Sequence, residues 1–369
     1  MEAKILNQSE MRRPQVFGTG LVALDLVISA DPSVPIRAWA GGTCGNVLLI
    51  LAALGWEVFP VARLNGDPAS KRILADMKTW GVRLDFTRCG PATSAPIIIQ
   101  QIIRTRDGAP RHRFSWACPH CGNWLPSFKP VTTHAVEMVA EYMGRANAFF
   151  MDRLSRAALS LAKRAADSGA VVIFEPSAKS DERLLREAIA IAHIIKYSDE
   201  RFAQVLGAME RGSATLLEVH TLGAGGLRYR HRLGRSASSW KQLAAEPVAH
   251  VADTCGSGDW CTAGLISRVA GNGLESLTAI GAEGAADALR FGQKLAAWNV
   301  GFEGARGGMY VGDRESVERN LRAFGTGAAQ LTQLRVSRQR LTPASVVCPA
   351  CPPTRGRSHA QKLQVAQSA

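Results

Sequence analysis

The sequence has no long hydrophobic run. The longest, Val47 to Trp56, spans ten residues. A membrane-spanning helix needs about twice that, so no transmembrane segment is expected. The opening stretch MEAKILNQSEMRRPQ is polar and lacks the apolar core of a secretory signal, which makes the cytoplasm the expected compartment. Acidic residues are absent from Gly325 to Ala369, where Arg335, Arg338, Arg340, Arg355, Arg357 and Lys362 stand unopposed. That stretch carries +6 of the net +13 and leaves +7 on everything before it. The body is therefore only mildly basic. This suits an acidic small molecule such as a nucleotide and gives little support to nucleic acid as the target. The tail 326–369, rich in Ala, Gln, Ser, Thr and Pro, offers few core-forming residues and is expected to be disordered. With 46% apolar and 20% charged residues, collagen, coiled coil and wholesale disorder are excluded.

What is present reads as an α/β protein. Residues 15–27, QVFGTGLVALDLV, form one apolar run that ends at the polar Asp25 and predict a buried strand. Residues 28–40, with two prolines, read as a turn and an irregular segment. Gly41-Gly42-Thr43-Cys44-Gly45-Asn46 then opens an apolar helix closed by Gly55, a favoured residue just past a helix end. Two β-type runs flank Arg106-Asp107-Gly108-Ala109-Pro110, a hairpin signal. Short apolar strands follow (ANAFFMD, AVVIFEP, AHIIKYS, ATLLEVHTLG), separated by helical patterns over 155–167, 181–191 and 200–210. That alternation predicts a mostly parallel sheet covered by helices.

The strongest local signal is Asp253-Thr254-Cys255-Gly256-Ser257-Gly258-Asp259, running into the apolar helix WCTAGLIS. Two glycines let the backbone approach a ligand closely. Amides at a helix start face outward, and the helix dipole favours an anion there. Asp259 at the same point would repel that anion if its role were only structural. The placement makes sense for a base that takes a proton from a hydroxyl attacking a phosphoryl group held by the amides.

DTCGSGD resembles the D-T-x-G-A/S-G-D signature of the PfkB family, the ribokinase-like sugar and nucleoside kinases. Gly41-Gly42-Thr43-Cys44-Gly45-Asn46, Asn65-Gly66-Asp67 and Thr221-Leu222-Gly223-Ala224-Gly225-Gly226 are similar to three further elements of that family, in the family's order. The resemblance covers roughly residues 15 to 312. It implies a ribokinase-like α/β fold over 1–325, with a small β-sheet lid from about 28–40 and 91–128. It implies ATP-dependent phosphorylation of a hydroxyl on a sugar, sugar acid or nucleoside, with Mg2+. Asp259 would be the catalytic base and Gly256, Ser257 and Gly258 the anion hole. Asp25, Gly41, Gly42 and Asn46 would face the substrate. Thr221, Gly223 and Gly226, with Asn299 as a looser match, would line the ATP site. The lid of such kinases often forms a dimer contact. One departure stands out: where the family carries N-x-x-E, this chain has Ser198-Asp199-Glu200-Arg201. That keeps open a binding-only relative of the same fold.

Eight cysteines in a chain with no export signal read as thiols or metal ligands rather than disulfides. Cys118-Pro119-His120-Cys121-Gly122 looks like half of a zinc ribbon. Cys348 and Cys351, His112, His134 or a second subunit could supply the rest. A zinc-containing nucleic-acid binder is the third reading, carried by these pairs and the basic tail.

Overall fold

The computed structural model describes residues 12–64, 66–89, 94–105, 110–118, 121–208, 213–234 and 236–325. The tail 326–369 lies outside them, with Cys348 and Cys351.

The run read as a single strand over 15–27 is two strands in two different sheets. Strand β1 (Gln15–Thr19) ends where the Leu21 amide is tied to Asp152 Oδ1 at 2.9 Å, and β2 (Ala23–Ile28) leaves in a new direction. The segment read as irregular ends in a strand, β3 (Arg37–Gly41), which pairs antiparallel with β2. Helix α1 (Thr43–Ala53), β4 (Glu57–Leu64), α2 (Pro68–Thr79) and β5 (Thr87–Cys89) follow. The expected hairpin is β6 (Ile97–Arg104) and β7 (Pro110–Ser115).

Past α3 (Thr133–Ala140) the chain alternates as its pattern predicts: β8 (Ala148–Met151), α4 (Arg156–Asp167), β9 (Val171–Phe174), α5 (Glu182–Ile191), β10 (Ile194–Ser198), α6 (Phe202–Ala208) and β11 (Leu217–Thr221). Strands β12 (Leu227–His231) and β13 (Lys241–Leu243) turn back antiparallel. Helices α7 (Ser257–Val269), α8 (Leu274–Ala279), α9 (Gly281–Asn299) and α10 (Arg314–Gly325) complete the described chain.

The large sheet has the order β13-β12-β11-β10-β9-β8-β1-β4-β5, parallel from β11 to β5. Its central strands are apolar without alternation because both faces are covered. Helices α1, α7 and α9 bury one face, with Val16, Ile173 and Val219; α3, α4 and α5 bury the other, with Phe17, Phe149 and Val172. The small sheet has the order β3-β2-β6-β7. It is the expected lid, but it starts earlier in the chain, at Ala23, and so carries Asp25 on its own strand β2.

Helices α7 and α9 touch backbone to backbone. A Cβ on Gly264 would lie 2.6 Å from the Gly292 Cα, and one on Gly292 would lie 2.5 Å from the Cys261 carbonyl oxygen. Only glycine lets them approach this closely.

Candidate active site

Two helix starts converge between the sheets. Helix α1 begins after Gly42 and α7 after Gly256, and both glycines have left-handed φ values, 75° and 76°. Gly256 is also packed against the chain: a Cβ there would lie 2.3 Å from the Ala305 carbonyl oxygen. The loop 253–258 can therefore take its shape only with glycine at that point.

Asp259 sits in the first turn of α7, 9% exposed. Its Oδ2 accepts a hydrogen bond from Asn46 Nδ2 at 2.7 Å. Burial pushes the Asp259 carboxyl well above its ordinary value and Glu175 adds to this; the Asn46 bond and the Lys196 ammonium pull the other way. Asn46 is itself held. Its Oδ1 accepts from Arg306 Nε at 3.0 Å, which sets which end of the amide faces Asp259. Arg306 is 1% exposed and also donates to the Ala40 carbonyl and to Asp76 Oδ2. Asp76 Oδ2 further accepts from the Ala40 amide and the Tyr310 hydroxyl, each at 2.8 Å. Tyr310 lies flat on Trp39, with ring centroids 4.2 Å apart.

Asp25 faces the same junction from the lid. A Cβ on Gly41 would lie 1.9 Å from Asp25 Oδ2, so the carboxylate rests directly on the glycine backbone. Its Oδ2 accepts weakly from the Gly42 amide at 3.4 Å, and its buried Oδ1 has no partner among the described residues. Burial raises the Asp25 pKa to about 7, against the pull of the Gly42 amide and the charge of Arg306. A buried carboxylate with an unused oxygen is costly unless something donates to it. A polyol hydroxyl would.

Asp253, at the start of the loop, ties the small sheet to the segment that opens α7. Its Oδ1 accepts from the Cys255 amide at 2.9 Å and lies 3.2 Å from His112 Nδ1 of β7. Its Oδ2 accepts from Gln100 of β6 and from the Gly304 amide. Burial alone would raise its pKa, but bonds from His112, Cys255 and Gly304 outweigh burial and hold it below the ordinary value.

On the far side of α7's start lies a cavity of about 520 Å3. Thr221, Gly223 and Gly226 line it together with Ser257 and Gly258, which brings the residues of the expected ATP site to the expected anion hole. Ala296, Ala297 and Val300 give it an apolar wall. Asn299 does not belong to that wall. It is fully buried, donates to the Ala305 carbonyl at 3.0 Å and accepts from the Gly308 amide at 3.1 Å, so its amide clamps the segment after α9. Asn46, expected to face the substrate, spends one amide hydrogen on Asp259 and accepts from Arg306, which fixes the direction of its side chain.

The zinc expectation finds no ligand set among the described residues, with Cys348 and Cys351 outside them. Cys118 is buried and Cys121 exposed, on a turn closed by the Gly122 amide on the Cys118 carbonyl at 2.9 Å. His112 is turned to Asp253, and His134 pairs with Glu137 at 3.6 Å. Among the described residues no three His, Cys, Asp or Glu side chains are grouped to hold a metal.

In the altered 198–201 element, Arg201 donates to the Ser177 carbonyl at 3.3 Å, and Asp199 Oδ1 lies 3.0 Å from His220 Nε2. The sequence reading missed Arg306, Asp76, Lys196 and Glu175. For Lys196 the signal was present: a lysine inside the apolar strand IIKYS must be buried with a partner.

The solved structures similar to this chain include a fructokinase with bound ATP from Xylella fastidiosa, 19% identical, with a TM-score of 0.62, covering 79% of this chain and 93% of that one. Ribokinase from Giardia lamblia is 16% identical, with a TM-score of 0.64, over 85% of this chain and 100% of that one. A Burkholderia thailandensis nucleoside kinase in complex with inosine is 20% identical, with a TM-score of 0.59, over 85% and 96%. At these identities the likeness establishes the ribokinase-like fold. A search of curated proteins gives no match. The profile of the pfkB family carbohydrate kinases matches residues 36–310, a span that holds both helix starts, the cavity and Arg306. By that match, and with the fold those kinases share, this chain belongs to the pfkB family of carbohydrate kinases.

Proposed function

We propose that this kinase moves the γ-phosphoryl group of ATP to a hydroxyl of a sugar, sugar acid or nucleoside, with Asp259 as general base. The observation that carries the reading is the position of Asp259. It follows Ser257 and Gly258, which line the nucleotide cavity, and it is joined through Asn46 to the face where Asp25 waits. The acceptor hydroxyls lie against Asp25, Gly41 and Gly42, in reach of the unused Oδ1 of Asp25. Thr221, Gly223 and Gly226 bound the nucleotide. The amides of Gly256, Ser257 and Gly258 receive the phosphoryl oxygens, where the dipole of α7 adds to their effect.

In the transfer, Asp259 takes the hydroxyl proton, the new O–P bond forms, and the bond from the γ-phosphorus to the β–γ bridging oxygen breaks. ADP departs with that electron pair. Asn46 holds one oxygen of Asp259 so that the other is presented to the acceptor. ATP enters as its Mg2+ complex, so the metal arrives as part of the substrate. Magnesium is commonly held by phosphates and one or two carboxylates rather than by a protein cage. Asp199 and Glu200 are the carboxylates that the 198–201 element offers. The lid, tied to Asp253 through Gln100 and His112, would exclude water so that ATP is not hydrolysed.

The exposed side chains of Ile103 and Phe114 on the lid strands and of Trp116 just past them, with Trp124 at 81% exposure, support a second copy of the chain as their partner. Among the described residues no helix is long and apolar enough to cross a membrane. The test of the reading is a coupled ADP-release screen over pentoses, hexoses, sugar acids and nucleosides. Acceptor-dependent ADP release by the wild type and its loss in Asp259→Asn is the expected result. ATP turnover indifferent to every acceptor would overturn it.

A further inference from the structure

The mechanism above does not use the buried ion pair of Lys196 and Glu175. Lys196, on β10, is 1% exposed, and its Nζ donates to Glu175 Oε1 at 2.6 Å. Glu175 Oε2 accepts from Thr262 Oγ1 of α7 at 2.5 Å. Both carboxylate oxygens of Glu175 are thus engaged. The ammonium is not, since it has three N–H donors and only one is used among the described residues.

The pair lies directly beneath the anion-hole loop. A Cβ on Gly258 would lie 3.5 Å from Lys196 Nζ and 3.6 Å from Glu175 Oε1. With glycine there, no side chain stands between the ammonium and the loop. Burying two charges is expensive, and an apolar pair of like volume is often at least as stable. Stability alone therefore gives a weak account of this pair. Burial works against the charge on Lys196, but the neighbouring acidic groups, Glu175 foremost, outweigh it and hold the ammonium's pKa above its ordinary value.

We propose that Lys196 is a catalytic residue, whose two spare N–H donors meet the oxygens of the phosphoryl group held at Gly256, Ser257 and Gly258. This rests on the kinase reading above. In this role Lys196 loses no proton. It neutralises charge on the group being transferred, while Asp259 takes the acceptor's proton and ADP leaves with the electrons of the broken O–P bond. Glu175 holds the ammonium in place, and Thr262 ties that carboxylate to the helix whose start forms the loop.

The experiment compares Lys196→Met, Lys196→Arg and the double variant Lys196→Met/Glu175→Gln. The double variant removes both charges and leaves no unpaired carboxylate. The readouts are kcat on the best acceptor from the screen and calorimetric binding of ADP and of a non-hydrolysable ATP analogue. Loss of one such donor costs roughly 10²–10³-fold in kcat. We expect that loss in Lys196→Met and also in the double variant, with partial rescue by Lys196→Arg. ADP should bind all variants as it binds the wild type, while the analogue loses its advantage over ADP. If the double variant recovers wild-type turnover, Lys196 serves only to neutralise Glu175 and the proposal is overturned. It is equally overturned if the analogue keeps its full advantage in a folded double variant. Absence of acceptor-dependent turnover in the wild type would instead strike at the kinase reading itself.

Discussion

Asn46 Nδ2 and Asp259 Oδ2 meet at 2.7 Å across 213 residues of chain, joining the first turns of two helices. The bond leaves Asp259 Oδ1 without a partner among the described residues and turns the carboxylate into an oriented group.

Asp259→Asn preserves shape and still accepts from Asn46, but it cannot take a proton at neutral pH. General-base catalysis is worth roughly 10²–10⁴-fold, so kcat should fall by about that factor. Calorimetry should find nucleotide affinity unchanged. Near-normal turnover would make Asp259 an ordinary helix-start residue.

Arg306→Met should damage both fold and rate. It takes the cation from the half-buried Asp76 and frees the Asn46 amide to turn. Breaking a buried pair from one side costs about 3–5 kcal/mol, readable in denaturant titrations. Arg306→Lys should recover little, because a point charge cannot reach Asn46, Ala40 and Asp76 together as the guanidinium fork does. Full rescue by lysine would show that charge alone matters.

As the proposed acceptor-binding carboxylate, Asp25 should make acceptor binding depend on pH. Its pKa is raised from 3.8 to about 7. Between those values the folded chain holds a proton that the unfolded chain has released, so this group's contribution to stability falls as pH rises through that window. Acceptor binding should run the opposite way, because the ionised carboxylate accepts hydroxyl hydrogens best. Measured in the Asp259→Asn background, acceptor affinity should climb as pH passes about 7, and Asp25→Asn should flatten the climb. A flat profile with Asp25 intact would remove it from the acceptor site.

Two glycine substitutions separate strain from clash. Gly223→Ala meets nothing within 4 Å and suffers only its left-handed φ of 57°, about 1–2 kcal/mol. Gly256→Ala adds the collision with Ala305 and must displace the loop at the start of α7, the proposed anion hole. Steady-state kinetics should show a mild rise in the KM for ATP for the first and a large fall in kcat for the second. Equal effects would mean that the loop yields freely.

The chemistry-bearing loops were legible because glycine, threonine and aspartate at fixed spacing have few other uses, and DTCGSGD lands at a helix start facing the cavity as read. The alternating strands after Ala146 were legible because both faces of that sheet are buried. The break between β1 and β2 was not. Nothing within QVFGTGLVALDLV announces that Asp152, far along the chain, holds the Leu21 amide and ends the first strand. Arg306 was missed for the same reason, since its partners Asn46, Ala40 and Asp76 come from the other end of the sequence. Asn299 lies off the cavity wall, and a sequence shows a polar residue near a site without showing which way its amide turns.

The glycine contact between α7 and α9 bears on how the proposed nucleotide is gauged. Phosphates would rest over the start of α7, while the base would lie along Ala296, Ala297 and Val300 at the end of α9. Gly264 and Gly292 bring these helices together main chain to main chain. Their separation is then set by covalent geometry, which no rotamer change can relax. The span from base wall to phosphoryl loop behaves as a ruler of fixed graduation, and one added methyl at either glycine would recalibrate it.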